Sequence, residues 1–97
     1  MSDVATAELE QLGRDAARLV AGDAAVAEVE VVAGESADRP AYFFSFLIDP
    51  DRATQRLGLI HTRLVQRLRD ELIARNDAHY PVIRLLDRSD WGKRAGA

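Results

Sequence analysis

The sequence predicts an α+β fold, a two-layer sandwich whose elements run helix, strand, strand, helix, strand, with a long second helix over a three-stranded sheet. Three observations carry this. Leu57, Ile60, Leu64, Leu68 and Leu72 recur at three- and four-residue steps, the repeat of one helix face. Tyr42, Phe44, Phe46 and Ile48 recur at every second position, the repeat of one strand face. Glu28 and Glu30 alternate with Val29 and Val31 in the same way.

The first helix is expected to end at Ala21, with Ser2 or Asp3 as N-cap and Gly22 just past its end. Its apolar line is Ala5, Leu9, Leu12, Ala16 and Leu19, with Val20 beside it. Gly13 interrupts this helix at a cost of roughly 1 kcal/mol against alanine, and the sequence offers no reason for it. The first strand, Val26 to Ala33, points Ala27, Val29, Val31 and Ala33 one way and Val26, Glu28, Glu30 and Val32 the other. Gly34 to Pro40 reads as a long polar hairpin connection. In the second strand, Ala41 to Ile48, the face opposite the aromatic one carries Phe43, Ser45 and Leu47, which is too apolar to meet water alone.

The second helix is expected over Asp49 to Asn76, roughly 40 Å at about 1.5 Å per residue. Asp49 suits its cap, Pro50 its first position and Asp51 the positive end of its dipole. Ala53 and Val65 extend and widen the leucine stripe. After a turn at Asn76 to His79, the third strand runs from Tyr80 to Leu86, with Pro81 suited to a strand start or an edge. Val82, Arg84 and Leu86 share one face, Ile83 and Leu85 the other. The tail from about Gly92 is expected to fray. This order of elements resembles that of ribosome-binding factor A and other KH-like domains. The GxxG clamp loop of RNA-binding KH domains is absent, since Gly58 stands alone within a helix pattern.

Ninety-seven residues make one domain, expected over 1–97. With no cysteine, disulfides and thiolate metal sites are excluded. The longest apolar run, Tyr42 to Ile48, is far shorter than the ~20 residues of a membrane helix. The N-terminus lacks a basic and then apolar leader pattern. A soluble, cytoplasmic protein without membrane contact is expected. The net charge of −3 is unevenly spread: ten acids face three arginines through Pro50, and six acids face ten bases after it. Such a split favours complementary contact between copies or with a partner.

His61 falls within the apolar stripe beside Leu64 and Leu68, as a core or interface-edge histidine, and His79 falls in a solvated turn. There is no HxxxH or HExxH pair and no GxSxG or phosphate-cradling loop, so no catalytic residue, metal or cofactor is expected. Asp87 and Asp90 read as ion-paired turn carboxylates. Arg52, Arg56, Arg63 and Arg67 form a stripe on the long helix away from the core. The reading that follows is a small non-catalytic interaction module that self-associates or serves as an accessory subunit. Its partner-binding residues are Phe43 and Leu47 on the outer sheet face, with the four arginines. RNA or ribosome binding through the stripe is the alternative, disfavoured by a pI near 5.3. A small-ligand pocket between helix and sheet, lined by Tyr42, His61 and Tyr80, is the third.

Overall fold

The strand richest in apolar residues on both faces takes the middle of the sheet. In the computed structural model, which describes residues 5–94, that strand is β2 (Arg39–Ile48). It pairs antiparallel with β1 (Val26–Ser36) and parallel with β3 (Tyr80–Leu86). Two helices, α1 (Thr6–Ala21) and α2 (Leu57–Ala74), cover one face. The predicted α-β-β-α-β order and long second helix hold, and α3 (Arg88–Arg94) follows. The core between helices and sheet contains Leu9, Ala17 and Val20 of α1, Ile60, Leu64, Leu68 and Leu72 of α2, and Tyr42, Phe44 and Phe46 of β2. No helix among the described residues is long and apolar enough to cross a membrane.

The face of α1 is rotated from the expected line, because Leu19 is 67% exposed while Gly13, Ala17 and Ala21 are buried. Gly13 explains the rotation. A Cβ there would lie 3.1 Å from both Phe44 Cδ2 and Val29 Cγ1. The helix backbone thus rests directly on the sheet, and any side chain at this position would force Phe44 or Val29 to give way. The proposed caps Ser2 and Asp3 lie outside the described residues.

The second helix starts eight residues later than the Asp49 signals suggest, at Leu57, and it ends at Ala74. Asp49 does accept the Asp51 N–H on Oδ1, at 3.0 Å, but the turn is not continued. Instead the Thr54 N–H donates to the Ala21 carbonyl at 3.0 Å and Gln55 Nε2 donates to the Val20 carbonyl at 2.7 Å. The end of α1 leaves its last carbonyls without helical donors. The 53–55 segment supplies them, and satisfying that helix end outcompetes extending the next. At the other end, the Asn76 N–H bonds Ile73 O at 3.0 Å and the Asp77 N–H bonds Leu72 O at 2.9 Å, with Asn76 at φ 57°. This is a Schellman termination with asparagine in the left-handed position.

The hairpin is tight rather than long-looped. Ser36 pairs with Arg39, and Ala37 and Asp38 form the turn at φ 52° and 64°. Two successive left-handed residues match the twist of antiparallel strands, as in a type I′ turn, although Asn-Gly is the usual choice. A register shift between Val26 and Glu28 turns Val26 onto the core, leaving Ala27 exposed. Val32 keeps its expected outward direction.

The end of the chain also departs from expectation. Asp87 Oδ1 accepts the Asp90 N–H at 2.8 Å, so Asp87 caps α3 and is not an ion-paired turn residue. Gly92 and Lys93 continue that helix; residues 95–97 lie outside the described ones. α3 packs on β2 and β3, and Trp91 is 9% exposed without joining the main core.

Replacing Gly13 by leucine should lower stability in urea melts by about 2–3 kcal/mol through overpacking. Gly58→Ala, with nothing within 4 Å of the new Cβ, should raise it by roughly 0.5 kcal/mol. Equal effects of the two changes would show that α1 does not rest on the sheet at Gly13. In the hairpin, Ala37→Asn with Asp38→Gly should raise stability by about 1 kcal/mol by relieving left-handed strain. An unchanged urea midpoint would exclude that turn geometry.

Candidate functional site

Charged side chains are seldom buried without partners, so the buried carboxylate of Asp77 marks a built position. The Schellman termination of α2 directs Asp77 inward, and its side chain is 0% exposed. Tyr42 OH donates to Oδ2 at 2.6 Å across 35 residues of sequence. The His79 backbone N–H donates to Oδ1 at 2.9 Å, and the His79 ring nitrogen Nδ1 donates to the same oxygen at 2.6 Å. The His79 ring also stacks on Tyr42, with centroids 4.0 Å apart and planes 8° from parallel. His79 is therefore a pinned, largely buried imidazole and not the solvated turn residue expected. One carboxylate joins the end of α2, the middle strand and the entry to β3.

This cluster forms one wall of a cleft of about 420 Å³. The hairpin contributes Ser36 and Arg39, the last turns of α2 contribute Arg69 and Ile73, and Tyr80 completes the wall at the start of β3. A carboxylate that fixes an imidazole is the arrangement that orients a general base. Among the described residues, no group of three or more histidine, aspartate or glutamate side chains is placed to hold a metal ion. On the far side of α2's last turn, Arg75 donates to Glu71 at 2.7 Å and to Glu8 of α1 at 3.0 Å. Those bonds, Glu71 first and Glu8 second, raise the Arg75 guanidinium above its ordinary value.

The residues singled out from sequence lie apart. Leu47 is 3% exposed, on the half of the outer face where α3 lies, so it does not present an open surface. Phe43 is half-buried on the other half. The four-arginine stripe does not form, because α2 begins after Arg52 and Arg56. Arg52 instead pairs with Asp49 at 3.6 Å. Arg63 and Arg67 share the helix, and Arg67 pairs with Glu71 at 3.4 Å. Of the three pocket residues, Tyr80 lines the cleft and Tyr42 anchors its wall. His61 is elsewhere, exposed, with Nε2–H donating to the Ile83 carbonyl at 3.1 Å on the edge strand. Asp77, Arg39 and Arg69 were not foreseen. An N-D pair just past a leucine stripe was the available signal for Asp77, since asparagine tolerates the left-handed position that ends a helix.

No family model matches the chain, and no curated protein or solved structure is similar to it.

Tyr42→Phe should lower stability by about 1.5–3 kcal/mol, because it removes a donor from a buried charged group. Arg52→Ala, which breaks only an exposed pair, should change it by less than about 0.5 kcal/mol. Urea denaturation of both variants checks the contrast; a Tyr42→Phe effect as small as that of Arg52→Ala would mean the Asp77 carboxylate is not sequestered.

Proposed function

We propose that this protein is a small non-catalytic interaction module that pairs with a second copy of itself, or with a related chain, across the half of its sheet that α3 leaves open. One observation carries the reading. Val32 is 55% exposed and stands in register with Phe43, which in turn pairs with Val82, so an apolar row crosses all three strands. The Phe43 ring lies over Gly34 of β1, whose Cβ, were there one, would be 3.0 Å from its Cε2, so it covers the bare glycine beside the row. Contiguous exposed apolar groups favour association over solvation. The next row, Glu30, Ser45 and Arg84, sets charges of both signs beside the strip, as a self-complementary rim requires. A domain of this size buries a modest core and gains stability from a partner.

Light scattering on the eluting protein tests the proposal. The wild-type chain should elute as a dimer at high micromolar concentration. Val32→Glu, at an exposed position, should yield a folded monomer with an unchanged far-ultraviolet spectrum. A wild-type monomer at that concentration, or a Val32→Glu variant that dimerises as before, sinks the idea.

A further inference from the structure

We propose that the cleft at the hairpin end of the sheet binds a small organic anion, a carboxylate or phosphate ester carrying a flat apolar group. Its volume of about 420 Å³ suits a small molecule. Arg39 reaches it from the start of β2 and Arg69 from α2. Among the described residues neither guanidinium has an ion pair or a side-chain hydrogen bond. Several other arginines among the described residues are also without an ion pair, while Arg52, Arg67 and Arg75 have carboxylates. What sets Arg39 and Arg69 apart is that both line the same cavity.

The cleft's one carboxylate, Asp77, has both oxygens bonded to Tyr42 OH and to the amide and ring of His79 and pairs with neither arginine, so the lining carries one more cation than anion. Two cations therefore face one cavity whose other walls include Ile73, 61% exposed, and Tyr80, 47% exposed. Apolar walls reduce screening and strengthen the attraction of an entering anion. Guanidinium groups match carboxylate and phosphate oxygens with paired donors. The flat group of the ligand would lie against Tyr80 and Ile73. A second cleft with two arginines serves as the contrast. It is lined by Arg63 and Arg67 together with Asp70, but one of its two arginines, Arg67, is already held by Glu71 at 3.4 Å, whereas neither Arg39 nor Arg69 is held. The anion site stands independently of self-association, which uses the outer sheet face.

The test is a titration of the full chain followed by amide chemical shifts at low salt, with phenyl phosphate, benzoate, inorganic phosphate and benzyl alcohol as probes. Phenyl phosphate and benzoate should saturably shift amides within 36–40, 69–73 and 77–80. Inorganic phosphate should shift the same amides more weakly, and benzyl alcohol should leave them in place. Arg39→Gln and Arg69→Gln should each weaken phenyl phosphate binding by about tenfold, the loss of a charge-assisted contact. Arg63→Gln, in the second cleft, should leave it unchanged. Rising salt should weaken binding to the wild-type chain, a readout that needs no variant to fold. No saturable shift in these segments overturns the proposal. So does benzyl alcohol binding as well as phenyl phosphate, or affinity that is insensitive to salt.

Discussion

Burying a carboxylate costs several kcal/mol unless hydrogen bonds replace its water. Asp77 meets that condition with a phenol from β2 and two donors from His79. Because these donors come from different parts of the chain, the interaction forms only when the helix end, the central strand and the entry to β3 are all in place. It therefore sets the register at one end of the sheet, where Tyr80 pairs with Ala41 and Pro81 with Tyr42. The stacked Tyr42 and His79 rings follow from the same bonds. Arg39 and Arg69 project from elements that Asp77 holds together.

The opposite end of the sheet is organised by apolar packing. Leu47 and Trp91 are both buried there, outside the main core, where α3 lies against β2 and β3. A capped helix of seven residues is too short to be stable alone, and burial of Trp91 supplies what its length lacks. The consequence is a divided outer face. One half is closed by the chain itself, and the other leaves Val32, Phe43 and Val82 in one row. The apolar row and the cleft are in this way separated, the first on the sheet's outer face and the second at the rim shared by the hairpin and α2.

Much of the architecture was legible because it rests on periodicity. The stripe of Ile60, Leu64, Leu68 and Leu72, the aromatic face of β2 and the bounds of β3 all emerge as read, since burial on one side imposes a repeat on the sequence. Helix boundaries were less legible. Asp49-Pro50-Asp51 is a plausible helix start, yet the competing partners, the free carbonyls of Val20 and Ala21, lie about thirty residues away. Local signals carry no information about such partners. The hairpin was misjudged for a related reason. Ala37 and Asp38 are poor markers of a left-handed turn, and the pairing of the flanking strands overrides their preference.

The types and order of the first five elements, the leucine face of α2 and the aromatic face of β2 were thus determined by the sequence alone, because each follows from contacts a few residues apart or from simple alternation. Tertiary structure alone decided the candidate sites. Gly13 acquires its reason only when α1 meets Phe44 and Val29. Leu47 loses its role as an exposed residue only when α3 folds back. Arg39 and Arg69, thirty positions apart, share a cleft only because Tyr42 and Asp77 bring the hairpin and the end of α2 together. Convergence of this kind depends on distances in space, for which spacing in sequence has no representation.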